Sequence, residues 1–229
     1  MPAENPANAP ARKTARTLLI FAPPEFGLAT FSVWWHSRLV AASLAPGFLV
    51  AAPSMRCPFF NHTLVLLIDH GDEGSFGFVV NRMTELEIED VFNEVGVAGD
   101  AAGTVRAPVM LGGPVSPESG WILYDPEGVP QPSSGQTIAV GQRIACSASL
   151  ELLERIARGD GPDTCAMMLG YAGWGEGQLE SEMKQGSWIP VDLDYSLVFD
   201  TPVEQRWEAA LATLGIDPAR VIDNQIASA

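Results

Sequence analysis

Cysteine is sparse in this chain. There are three, Cys57, Cys146 and Cys165, an odd number with no C-x-x-C spacing. That excludes a disulfide framework and a zinc site, and suits a reducing compartment. Basic residues are also short: Lys and Arg total 13 against 28 Asp and Glu, a formal charge of −15 over 229 residues. A field of that sign repels a phosphate backbone. The deficit is uneven, since the segment before Leu44 carries four basic and two acidic residues, +2, and leaves −17 for the remainder. Direct nucleic-acid binding is therefore not expected outside the N-terminal arm or a very local patch. Long apolar runs are missing as well. The stretch after Arg16 is broken at Pro23-Pro24-Glu25, so it lacks the ~18 uninterrupted apolar residues of a membrane span. Only Leu18–Ala22 resembles the apolar region of an export signal, and that is too short.

The first segment, 1–43, opens with a Pro/Ala/Asn-rich tract and reads as a poorly ordered extension. A surface-lying apolar segment anchored by Trp34-Trp35 ranks second, and an export signal third. A start codon assigned too early gives the same appearance. From 44 to 229 no repeat or linker interrupts the chain, and one domain is expected.

Within that domain Phe48–Ala52, Thr63–Asp69 and Ser75–Asn81 read as strands, the last two forming an antiparallel hairpin with a four-residue loop at Gly71–Gly74. Leu86–Val95 has helical spacing, with Leu86, Ile88, Val91, Phe92 and Val95 near one face and an acidic first turn. Val109–Gly112 and Trp121–Tyr124 are further strands, joined by GGPVSPESG. Ser147–Arg158 is a helix capped by Ser147 or Ser149 and ended by Gly159. Cys165–Tyr171 is a buried strand, and a helix after it stops at Gly186. Ser187–Ile189 and Leu197–Phe199 are late strands, and Thr201-Pro202 opens a final helix to Leu214 with Thr201 as its N-cap. Hairpins interleaved with separate helices indicate an α+β fold.

The chemistry-bearing residue types form no complete set. GYAGWGEGQLESE, Gly170–Glu182, places four glycines where a phosphate loop would sit. The P-loop Lys and Ser/Thr are absent, because Gln178-Leu179 follow the last glycine, and the third glycine of a dinucleotide fingerprint is missing. Its helix start is acidic, through Glu176, Glu180 and Glu182. The alternative is architectural: the glycines allow positive φ and close packing, and Tyr171 and Trp174 wedge the turn against the core. The turn Leu111–Val115 offers backbone N–H groups to an anion, or is simply tight. Cys57, before Pro58 in a loop, is the candidate reactive thiol, with His62 or His70 as its base. No G-x-S-x-G occurs. Consecutive residues in Asp69–Glu73 do not suit one metal ion, and the spacing is not that of an EF-hand. No catalytic residue, cofactor or metal site is assigned.

Four blocks, PGFLVAAPSM, PFFNHTLVLLIDHGDEGSFGFVVNR, PVMLGGPVSPESGWILY and the run from LGYAGWGEGQLESE to EAALATLGID, together resemble the YqgE/AlgH family. They span nearly all of Leu44–Asp217. The resemblance implies a bacterial, cytoplasmic protein with a curved, largely antiparallel sheet in a single compact α+β domain. It brings no established enzymatic activity, and its frequent label of transcriptional regulator rests on a genetic link to alginate production. Several positions depart from the family pattern: Cys57 replaces the usual Asp, His62 the usual Arg, Thr63 the usual Ser, Asp69 the usual Glu, Met83 a Pro, and Tyr124 a His that would otherwise be available to His70. The resulting expectation is a non-enzymatic regulatory or binding protein, with another protein or a small ligand as partner. His70, Asn81, Gly112, Gly113, Tyr171, Trp174 and Gln178 are its candidate surface, with Trp121 in a further surface-prone turn. A thiol- or histidine-dependent enzyme or redox sensor, and a regulator acting indirectly on DNA, are the alternatives. Oligomeric state is not legible.

Overall fold

The computed structural model describes residues 44–98 and 107–217. The elements in chain order are β1 (Gly47–Ala51), β2 (Leu64–Gly71), β3 (Gly74–Val79), α1 (Ile88–Val95), β4 (Val109–Leu111), β5 (Val115–Tyr124), β6 (Thr137–Val140) and β7 (Ile144–Ser147), followed by α2 (Leu150–Ala157), β8 (Cys165–Trp174), α3 (Gln178–Lys184), β9 (Trp188–Asp192), α4 (Tyr195–Phe199) and α5 (Arg206–Thr213). The segment 1–43 lies outside the described residues.

The strands make one curled, half-barrel sheet in the order β6-β7-β5-β8-β3-β2-β1-β9. Its pairings are antiparallel except that of β4, which lies off this path and runs parallel to β8. Beyond β4 the partner of β8 becomes β3, from Gly77↔Ala172 onward. The sheet is buried on both faces, which explains the uninterrupted apolar run of β2. Leu64 and Leu66 face one cluster with Phe48, Phe78, Trp121 and Met168, covered by Leu197, Val198, Trp207, Ala210 and Leu211 of α4 and α5. Val65 and Leu67 face another with Trp174, Leu179 and Trp188. Over the outer half of β4, β5 and β8, α1 and α2 bury Val91, Phe92, Leu153 and Ile156 against Ile122, Met167 and Leu169. Alternation of side chains along each strand supplies both faces at once.

Several expected boundaries move. Leu197–Phe199 is helical rather than a strand, because Asp194 accepts the Ser196 N–H at 2.8 Å and starts α4; this local cap outweighs the β-prone Leu-Val-Phe. Thr201 does not cap the last helix. Its hydroxyl donates to the Ser196 carbonyl, Pro202 sits at φ −52 and ψ 137, and a 3-10 turn at Val203–Gln205 precedes α5. Leu86 is exposed, since α1 begins after Glu87, whose N–H donates to Asp90. Ser149 caps α2 while Ser147 ends β7. Gly71 pairs with Gly74, so the hairpin loop is Asp72-Glu73 alone. The hairpin β6–β7, turning at Gly141 with φ 72, had no counterpart in the expected elements. Its signal was the β-prone pair TIAV and IACS around that glycine.

Candidate functional site

Where β4 ends, Gly112 and Gly113 pass between β3 and β8 with no room for a side chain. A Cβ on Gly112 would stand 2.4 Å from the Gly170 carbonyl oxygen, and one on Gly113 would stand 1.9 Å from the Tyr171 carbonyl carbon. The Gly112 N–H donates to Leu169 O at 2.8 Å, and Gly112 O accepts from Val79 N at 2.7 Å. Both glycines are therefore buried in a backbone-to-backbone seam, and the Gly112 N–H is already spent. On the other side of β8 the register slips between Val115 and Gly120, leaving a bulge with Ser116 at φ 45, next to Gly170 at φ 66. The Tyr171 hydroxyl bonds Ser116, and burial raises its phenol pKa.

The Gly170–Glu182 turn is held by a carboxylate that in the sequence is only one of several acidic residues. Glu182 Oε2 accepts from the indole N–H of Trp188 at 2.7 Å and of Trp174 at 3.1 Å, while its Oε1 accepts from Gln178 Nε2 at 2.9 Å. Gln178 Oε1 in turn accepts the Gly175 N–H at 3.1 Å. Charge-assisted bonds of this kind are stronger than neutral ones. The two indoles meet edge to face at 5.7 Å, with Phe60 5.4 Å from Trp188. Trp174 is 3% exposed and Tyr171 6%. Neither presents an aromatic recognition surface; both act as wedges. Trp121 is likewise buried, with its indole N–H and the Ser119 hydroxyl unpaired among the described residues.

The two candidate polar residues of the hairpin stand at opposite ends. His70 Nδ1 bonds Ser75 Oγ at 2.8 Å, and its Nε2 lies 3.6 Å from Glu180, tying the hairpin tip to α3. Asn81 accepts the Leu64 N–H and donates to His62 O, both at 2.8 Å. Leu64 and His70 are six positions apart along β2, on the order of 20 Å at ~3.3 Å per residue. Gly113 and Tyr171 touch each other, while His70 and Asn81 lie too far apart along β2 to share one cleft with each other.

Cys57 is exposed, and its carbonyl closes a turn by accepting from Phe60 and Asn61. The structure gives the histidines other partners: His62 bonds Asn61 and packs edge-on against Trp207 at 4.4 Å. Cys146 and Cys165 are buried, and burial raises both thiol pKa values, that of Cys165 to about 12. Among the described residues no group of three or more His, Cys, Asp or Glu is placed to hold a metal, and no helix is long and apolar enough to cross a membrane. What the turn does expose is a polar, acidic rim: Asp72 and Glu73 on the hairpin, then Glu176 and Gln178, with Glu180 half-exposed.

A family model described as AlgH-like (DUF179) matches residues 48–219. A UPF0301 protein of Anaeromyxobacter dehalogenans is 47% identical over 182 residues, covering 78% of this chain and 91% of that one. A UPF0301 protein of Burkholderia cenocepacia is 40% identical over 174 residues, covering 76% and 90%. The solution structure of AlgH from Pseudomonas aeruginosa superposes with a TM-score of 0.65 at 33% identity, over 81% of this chain and 96% of that one. A crystal structure of a Corynebacterium diphtheriae protein gives 0.58 at 22% identity, over 76% and 88%, a likeness of fold alone. With three-quarters of its length matched by the family model and its glycine seam and tryptophan turn accounted for, the chain belongs to the YqgE/AlgH family.

Proposed function

We propose that this chain is a non-enzymatic regulatory protein that acts by binding another protein. One observation carries the reading. The residues by which the family is recognised are spent on architecture: Gly112 and Gly113 pack on β8, and Glu182 ties both tryptophans to α3. What this scaffold holds outward is the acidic rim of the β2–β3 tip and α3, joined by the His70–Glu180 contact. On a chain of formal charge −15, such a rim suits a basic surface on the partner. A regulatory label also fits a protein-mediated route to transcription, since the same charge opposes contact with DNA.

The thiol–histidine reading has less support, because His62 is packed on Trp207 and His70 bonds Ser75 and Glu180. Affinity capture with the full chain tests the proposal. Glu73→Lys/Glu176→Lys should lose the partners that wild type retains, while melting at the same temperature. An identical partner set would refute it.

A further inference from the structure

At the end of the hairpin away from the acidic rim, basic groups gather. Arg206 is 8% exposed; its Nε donates to Thr201 O at 3.0 Å, and Nη1 donates to Val80 O. Two residues along from Val80, Arg82 donates to Asn61 O at 3.1 Å, and its guanidinium lies 5.5 Å from the Phe59 ring. Exposed His62 closes the ring of contacts: its carbonyl accepts from Asn81 and its imidazole packs on Trp207, the neighbour of Arg206. Among the described residues no carboxylate lies within ion-pair distance of Arg82 or Arg206. Glu204 acts on Arg206 only through its field, and burial lowers the guanidinium pKa to about 10.

A buried guanidinium satisfied only by carbonyl oxygens keeps its full charge uncompensated, which is costly. That neither Arg206 nor the half-buried Arg82 meets a counter-ion among the described residues, on so acidic a chain, therefore needs a reason. His62 adds a second anomaly. It holds φ 53, a left-handed conformation that costs a non-glycine residue energy and concentrates at ligand sites. That conformation goes with an imidazole packed on Trp207, the chain neighbour of Arg206.

We infer that the corner where His62, Arg82 and Arg206 meet is an oxyanion-binding site, taking the phosphate or carboxylate group of a small molecule. Arg82 and His62 are the reachable contacts, and Arg206 supplies positive potential from beneath. Arginine that has committed one N–H to a carbonyl retains others for an oxyanion. Glu204 opposes the ligand and weakens its binding. This goes beyond the partner contact proposed above, which uses the other end of the hairpin, so either can fail without the other.

The test is an NMR titration of the full ¹⁵N-labelled chain with inorganic phosphate and, separately, citrate, against chloride at equal ionic strength. Saturable shifts of the Trp207 indole N–H and of the His62 and Arg82 amides are expected, with millimolar or tighter affinity, and which anion saturates first identifies the ligand group. Arg82→Gln should weaken binding about tenfold, and Arg82→Lys less. Glu204→Gln, an exposed change that spares every hydrogen bond described above, should tighten it and decides the matter if the arginine variants misfold. Shifts that match those in chloride, or binding that Glu204→Gln leaves unchanged, would overturn the inference.

Discussion

Removing the Glu182 carboxylate tests the architecture at its most concentrated point. Three donors converge on that side chain, two of them indole N–H groups on tryptophans that are each 3% exposed. Gln178 is exposed and can turn to water, so its bond contributes little to the loss. The indoles cannot do the same. A hydrogen bond to a charged acceptor contributes about 1.5–3 kcal/mol, and a buried donor left unpaired costs about 1–3 kcal/mol. Glu182 itself is half-exposed, and water entering its place recovers part of this. Glu182→Ala should therefore destabilise the chain by about 2–4 kcal/mol. Glu182→Gln keeps one acceptor oxygen for the indoles but loses the charge, and should cost about half as much. The measurement is urea unfolding of the full chain followed by far-UV circular dichroism, a readout independent of the tryptophans. A Trp188→Phe background removes one donor, so the two changes together should cost about 1–2 kcal/mol less than their sum. A Glu182→Ala loss under ~0.5 kcal/mol, or strict additivity, would refute the keystone role.

Gly113→Ala would force a Cβ to 1.9 Å from the Tyr171 backbone, and should leave little folded protein on expression. Gly96→Ala meets nothing within 4 Å and should cost only the ~1–2 kcal/mol of its positive φ, 75°, in the same unfolding assay. Of the three thiols, Cys57 should react promptly with a chromogenic disulfide at pH 8, and Cys146 and Cys165 only on unfolding. Cys165 holds its proton more tightly folded, with a pKa of about 12 against an ordinary 9.0, so its contribution to stability is complete below pH ~9 and is lost as pH rises toward 12. Cys165→Ala should accordingly flatten the alkaline decline in unfolding free energy, and an unchanged slope would contradict that assignment.

Much of the fold was legible because it follows from short-range patterns. The continuous apolar run of β2 declares a strand buried on both faces, and Ser149 and Gly159 bracket α2. The misreadings arose where a local cap overrides propensity, as Asp194 does for α4, or where a bulge extends pairing beyond the apolar residues, as in β5. The site was less legible. Tyr171, Trp174 and Trp121 lie beside glycines, a pattern common to exposed turns and to backbones pressed together; only tertiary packing separates the two. The role of Glu182 depends on Trp188 arriving from the next strand, and the corner of His62, Arg82 and Arg206 is closed by the bond from Arg206 to Val80, 126 positions away. No local spacing encodes either.

We propose that this fold displays the acidic rim of the hairpin tip and α3 to a protein partner. Amide hydrogen exchange on the full chain, alone and with a partner captured from native extract, tests it most directly. Added protection is expected at 69–74 and 175–182 in the complex. A complex whose protection lies elsewhere, with those two segments unchanged, would contradict it.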